Sequence, residues 1–372
     1  MALAAAYLDY NATAPIRPEA RAAILEAIAE PGNPSSVHGF GRRARRLVED
    51  ARDHVAALAG ARPEGVIFTS GGTESNALAL TGWGRPVLVS AIEHPSVLKA
   101  GRGDPIAVGA DGRVDPVQVA EILTRWETPP LVAVMLVNNE TGVIQPVAEI
   151  ARIAHDHGAL VHCDAVQAAG RIPLDIGALG VDSLALSGHK LGAPTGVGAL
   201  VLADPDGPLA PMVRGGGQER SRRPGTENLP GIAGFGAAAQ AVLGERGEET
   251  RLSRLRNRLE DGARTMVSSA VVMGADAPRV GNTCCLAVPG VAAQTLLMGL
   301  DLAGVAVSSG SACSSGRVAA SHVLEAMGAG DLARQAIRIS LGWASTDQDV
   351  DRFLEAFGAL AGRLCRPAAL AG

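Results

Sequence analysis

Aromatic residues are scarce, making up only 3% of the 372 residues. That leaves few stacking platforms for a protein that reads single-stranded nucleic acid. Basic residues are not in excess either: the formal net charge is −5, which argues against a general nucleic-acid binder. The one local basic run, Arg42-Arg43-Ala44-Arg45-Arg46, falls in a helical pattern and reads as a solvated face. No apolar run approaches membrane-spanning length. The first residues, Met1 to Asp9, lack the basic and apolar regions of a secretory signal. The five cysteines, Cys163, Cys284, Cys285, Cys313 and Cys365, are odd in number and form no Cys-x-x-Cys pair. Neither a disulfide framework nor a metal site is indicated, and a reducing, cytoplasmic setting is expected.

What is present is an ordinary globular composition, 47% hydrophobic and 19% charged, in a chain long enough for a large domain and a smaller one. Apolar periodicity predicts helices over 17–30 and 41–58, separated by a Pro/Gly/Asn/Ser-rich loop whose His38 reads as a loop histidine. From residue 65 short apolar runs alternate with helical stretches. Strands are expected at 66–69, 87–90, 131–137, 160–163, 183–186 and 197–202, with helices near 73–81, 116–124 and 146–157. Unpatterned apolar strands alternating with helices imply an α/β domain whose mainly parallel sheet is covered on both faces. The turn before Val197 is too short for a crossover helix, so one antiparallel member is allowed. After a glycine-rich junction at 214–220, a charged helix over 248–266 opens a smaller α+β block. That block has strands at 283–288 and 337–341 and helices at 292–302, 318–327 and 347–363.

In such sheets ligands bind beyond the carboxyl ends of the strands, and four of those ends carry unusual residues. Phe68-Thr69-Ser70-Gly71-Gly72-Thr73 runs from a strand through two glycines into a helix, a setting whose free N–H groups suit a phosphate. It lacks the lysine of a nucleotide P-loop. His94, just past the next strand, could stack on a planar ring or serve as an acid or base. Asn138 and Asn139 follow the third as turn formers or neutral hydrogen-bonding groups. Asp164 ends the fourth, where a carboxylate is costly without a cationic partner. One strand-helix-strand step later comes Ser187-Gly188-His189-Lys190. A desolvated lysine there is a natural Schiff-base former. An acid for a pyridinium nitrogen and a lysine for an aldehyde are the two demands of pyridoxal phosphate.

The smaller block adds a glycine- and serine-rich run, 307–316, centred on Cys313, which reads as an exposed nucleophile or carrier. Cys163, Cys284 and Cys285 sit in apolar runs and read as core. Arg338 alternates with apolar residues on a short strand, either facing inward to clamp a carboxylate or facing water.

Together these residues resemble the cysteine desulfurases, fold-type I enzymes of the class-V aminotransferase group. The likeness runs nearly end to end, from Tyr7-Leu8-Asp9-Tyr10-Asn11-Ala12-Thr13 to the last helix, and the Cys313 run resembles the NifS/IscS kind. The resemblance implies a three-layer, aspartate-aminotransferase-like fold. In it, residues 1–16 join a small domain of 241–372, and 17–240 bind pyridoxal 5'-phosphate. It implies that Lys190 holds the cofactor and moves the substrate proton. Asp164 meets the ring nitrogen, Gln167 the ring hydroxyl, and His94 the ring face. Gly72, Thr73, Ser187 and His189 bind the phosphate, with Thr226 reaching across a homodimer. Asn139 and Arg338 would take the carboxylate of L-cysteine, and Cys313 its sulfur as a persulfide, for an iron–sulfur scaffold or a thiolation factor. Ala14 and Thr195 depart from the pattern, where threonine and lysine are common, and leave the cofactor residues intact. The short stretch after the last helix puts the scaffold partner in question. Two other readings stand beside this one: a selenocysteine lyase or aminotransferase of the same group, and a non-catalytic interaction module.

Overall fold

β-Branched and aliphatic runs with no polar alternation form the centre of the computed structural model, which describes residues 5–101, 103–310 and 319–364. Eleven strands are described: β1 (Ala6–Tyr7), β2 (Val66–Thr69), β3 (Val87–Val89), β4 (Leu131–Ala133), β5 (Leu160–Asp164), β6 (Ser183–Ser187), β7 (Gly198–Leu202), β8 (Val271–Val272), β9 (Thr283–Ala287), β10 (Val305–Ala306) and β11 (Ala336–Ser340). Six of them make the main sheet, in the order β2-β7-β6-β5-β4-β3. β3 to β6 pair in parallel, and β7 is antiparallel to both neighbours, the one reversal allowed by the short turn before it. Almost every residue in these strands is buried, as a sheet covered on both faces requires. The sheet, the helices Gly39–Ala59 and Leu229–Gly244 and their neighbours share one apolar core.

A second core forms around β9, β10 and β11 and the helices Glu248–Met266, Ala293–Leu302 and Asp347–Leu364. Ala6 and Leu8 are buried in it, because β1 pairs in parallel with β10 and Asp9 continues beside Ser340. The N-terminal segment therefore crosses from this core to the mouth of the main sheet. That route later decides where Asn11 lies.

Some elements differ from the sequence reading. The expected strand 131–137 is regular only to Ala133, although Val134 and Leu136 still donate to His162 and Asp164 carbonyls. The helix expected from 318 begins at His322, capped by Ser321 Oγ accepting from Leu324 N–H. Leu229–Gly244 is a helix with no one-sided stripe, apolar nearly all round and rich in glycine, so periodicity does not reveal it. Its glycines are contact points: a Cβ at Gly236 would sit 2.5 Å from Ala51 Cα.

The junction before that helix holds three consecutive non-glycine residues in left-handed backbone, Glu219, Arg220 and Ser221, with φ of 45°, 55° and 63°. The Glu219 carboxylate pins them by a bidentate pair with Arg52, at 2.8 and 2.9 Å, and by accepting from Phe68 N–H at 2.9 Å. L-residues held there cost about 1–2 kcal/mol each. Ser221→Gly is expected to stabilise the protein by about 1 kcal/mol, read as a rise in thermal midpoint. An unchanged or lower midpoint would show that the segment is not strained at Ser221.

Candidate active site

The carboxyl ends of the sheet strands, the N-terminal segment and β11 together enclose a cavity of about 590 Å³. Gly72, Thr73, His94, Asn139, Asp164, Gln167, Ser187, His189, Lys190 and Arg338 all line it. These ten expected site residues, drawn from a span of more than 260 positions, therefore face one space.

At its floor, β2 leads through Ser70 into Gly71, whose φ of 152° and ψ of 179° suit glycine alone. The helix Gly72–Gly82 starts there, and among the described residues no partner is present for the N–H groups of Gly72 or Thr73. A Cβ on Gly72 would come within 2.8 Å of Val166 Cγ2, so the close approach of that backbone depends on the glycine. Ser187 ends β6 beside it, and His189 follows, its Nδ1 3.2 Å from Thr13 Oγ1. Burial, with the Lys190 charge second, pushes the His189 imidazole down to about 4, so it is neutral at physiological pH.

Lys190 sits in the turn Gly188–Lys190 that β6 feeds. Its Nζ donates to the carbonyls of Asn11 at 2.6 Å and Ala12 at 2.7 Å. Burial, then the charges of Arg171 and Arg338, lower its amine to about 7 against the pull of Asp9 and Asp164. The sign is simple. Below pH 7 the folded amine is protonated. Above it the amine is mostly neutral, while a free lysine stays charged to about 10.4. The rate at which cofactor-free protein captures an aldehyde at Lys190 should therefore rise with pH up to about 7 and level off by about 8. Stopped-flow absorbance checks this, and a rate that keeps climbing to pH 10 would contradict the environment described.

Asp164, 6% exposed at the end of β5, accepts from Asn76 Nδ2 at 2.8 Å and from Val166 N–H at 3.0 Å. Burial lowers the His94 pKa; His94 also caps the short helix Pro95–Leu98. Gln167 Nε2 donates to Asn11 O at 3.0 Å, and its Oε1 accepts from Arg171. The two asparagines that follow β4 divide their work. Asn138 Oδ1 builds the turn by accepting from Glu140 and Thr141 N–H, while Asn139 faces the cavity. Arg338 is 5% exposed, which removes the water-facing reading. It pairs with Asp9 at 2.7 Å and donates to Asn139 O at 3.3 Å, and its buried Nε has no partner among the described residues.

Thr226 is exposed and outside the cavity of its own chain. Cys313 lies outside the described residues; Gly310 and Ala319, the nearest described residues before and after it in sequence, line the cavity. Cys163, Cys284 and Cys285 are buried, as expected of core residues. Sequence reasoning missed Asp9, Asn11, Asn76, Glu140 and His322, which share the cavity wall. Asn76 and Glu140 stand beside motif residues that were chosen and carried a usable signal. Asp9 and Asn11 reach the site only through the β1–β10 pairing, which no local pattern shows. Among the described residues, no helix is long and apolar enough to cross a membrane.

The family model for class-V aminotransferases matches residues 6–353. An IscS-like cysteine desulfurase of Mycobacterium tuberculosis is 41% identical, over 98% of each chain. A cysteine desulfurase of Cereibacter sphaeroides is 42% identical, over 94% of each. The chain belongs to the cysteine desulfurases of the class-V aminotransferase family. Solved structures agree with that placement. A NifS-like protein from Rickettsia africae superposes on this desulfurase-family chain with a TM-score of 0.90 at 36% identity, covering 96% of this chain and 99% of the other. SspA in complex with cysteine gives 0.79 at 28% identity, covering 90% and 98%.

Proposed function

We propose that this protein is a pyridoxal 5'-phosphate-dependent cysteine desulfurase that converts L-cysteine to L-alanine and takes the sulfur onto Cys313. The observation that carries this reading is the meeting of Lys190, Asp164, His94 and the start of the Gly72–Gly82 helix at one cavity. SspA, a structural relative, is described in complex with cysteine.

The residues present fit the cofactor. Free N–H groups at Gly72 and Thr73, the Ser187 hydroxyl and a neutral His189 form a donor set for a phosphate. Glycine at 72 keeps that cradle open. Asp164 would face the ring nitrogen, Gln167 the ring hydroxyl and His94 the ring face, with Lys190 at the aldehyde. When bound, the cofactor supplies an electron sink for the substrate's carbon atoms.

The chain's own groups do the rest. Lys190, whose amine is lowered to about 7, would hold the cofactor covalently and move a proton at Nζ. Arg338 and Asn139 orient the substrate carboxylate, Arg338 through the Nε that has no partner among the described residues. His94, its pKa lowered by burial, serves as a proton carrier beside the ring. The Cys313 thiolate attacks the substrate sulfur. The carbon–sulfur bond breaks as the sulfur–sulfur bond forms, giving one L-alanine and one enzyme persulfide per L-cysteine. Thr226, exposed on its own chain, is assigned to the phosphate site of a second copy in a homodimer. Residues 241–372, with 1–16, are taken as the smaller domain that brings Arg338 and Cys313 to the large one. The persulfide would pass, in the cytoplasm, to an iron–sulfur scaffold or a thiolation factor.

The test is the visible spectrum of the purified protein with and without L-cysteine, with alanine and sulfide assayed together in the presence of excess thiol to reduce the persulfide. A cofactor band that changes on adding L-cysteine, with alanine and sulfide in equal amounts, is the expected result. A colourless protein that forms no alanine in the presence of pyridoxal 5'-phosphate would refute it.

A further inference from the structure

Asn76, on the helix Gly72–Gly82, is 1% exposed and carries no charge, yet its amide group touches three other side chains. Its Nδ2 is 2.8 Å from Asp164 Oδ2 and 3.0 Å from Ser96 Oγ. Its Oδ1 is 3.0 Å from His162 Nε2. The chain of contacts continues at both ends: Ser96 Oγ lies 2.8 Å from His94 Nδ1, and His162 Nδ1 lies 2.9 Å from Ser183 Oγ.

Proton counting allows one direction through this network. A carboxylate only accepts, so the Asn76 amide nitrogen must face Asp164. Its second hydrogen goes to Ser96 Oγ, which frees the Ser96 hydroxyl proton for His94 Nδ1. The Ser96 N–H points at the same nitrogen, at 3.2 Å. With two donors aimed at Nδ1, the neutral His94 ring carries its proton on Nε2. On the other side Asn76 Oδ1 only accepts, so His162 donates from Nε2 and accepts at Nδ1 from Ser183. His162 is wholly buried, and burial holds its pKa near 3, so it stays neutral and cannot reverse the order. Flipping Asn76 would set its carbonyl oxygen against the Asp164 carboxylate.

We propose that Asn76, locked in one orientation by His162, is a positioning residue that aims the Asp164 carboxylate and fixes the His94 tautomer together. The inference rests on the cofactor reading given above, since Asp164 and His94 are the groups assigned to the ring. It adds that their states are set jointly by one amide.

The test compares apoprotein and reconstituted holoenzyme of wild type, Asn76→Ala, His162→Leu and His162→Gln. Three quantities are read: the dissociation constant for pyridoxal 5'-phosphate, the pH at which the visible band titrates, and kcat and KM for L-cysteine. Asn76→Ala and His162→Leu are expected to weaken cofactor binding roughly tenfold, the scale of one hydrogen bond to a charged group. Both should also move the band's titration by roughly one pH unit and lower kcat more than they raise KM. His162→Gln, which keeps an N–H where Nε2 stood, should recover most of the loss. An unmoved titration in Asn76→Ala overturns the proposal, and so does a loss in His162→Leu that His162→Gln does not recover. If His162→Leu fails to fold, Asn76→Ala and His162→Gln still decide the matter. Failure of the wild type to bind pyridoxal 5'-phosphate would remove the cofactor reading itself, and the wild-type titration alone would show it.

Discussion

Lys190→Ala is expected to lose turnover of L-cysteine by about 10⁴-fold or more, since one change removes both the covalent anchor and a proton carrier. The surroundings make replacement by another group implausible. Arg171 and Arg338 offer guanidinium groups, which supply charge and hydrogen-bond donors, not a nucleophilic amine. His189 is held neutral by burial and assigned to the phosphate. The only lysine besides Lys190 is Lys99, which is not part of the cavity wall. The variant should still bind the phosphate end of the cofactor, because the Gly72 and Thr73 N–H groups and Ser187 are untouched. Alanine formation by purified Lys190→Ala, assayed with added pyridoxal 5'-phosphate, is the measurement. Near-normal turnover would remove the central assignment.

The alternation of unpatterned apolar strands with helices was enough to foresee the main sheet, because a sheet buried on both faces needs little else from its sequence. The residues at its strand ends were legible for the opposite reason. Lys190, Asp164 and His94 are expensive where they stand, and expense at a strand mouth points to chemistry. Arg338 was ambiguous in sequence because a strand arginine can face either way; burial and the Asp9 pair settle it. The helix Leu229–Gly244 was illegible because it is surrounded, so its apolar residues show no period. Asn11 was illegible because its position is set by β1 pairing with a strand some three hundred residues later. Asn76 lay within a motif that was read for its glycines alone, and its role depends on partners 20 to 88 positions away. Local pattern marks the ends of elements. Side-chain networks between elements require the fold.

Cys313→Ala is expected to keep the visible cofactor band while losing sulfide release by at least roughly 10³-fold, as removal of a nucleophile does. The other cysteines are poor substitutes on physical grounds. Cys163, Cys284 and Cys285 are fully buried, and burial pushes all three thiols up, so their thiolates are scarce at neutral pH. Attack on sulfur needs a thiolate that can reach the substrate, and none of the three lines the cavity. The nearest described residues before and after Cys313 in sequence, Gly310 and Ala319, do line it. Peptide mapping after one turnover should therefore place the persulfide at Cys313. A label found instead on Cys365, or sulfide release undiminished in Cys313→Ala, would move the nucleophile elsewhere while leaving Lys190 and Asp164 as they are. Loss of the band in the same variant would mean something different: that residue 313 helps hold the cofactor, which nothing in the donor set described requires.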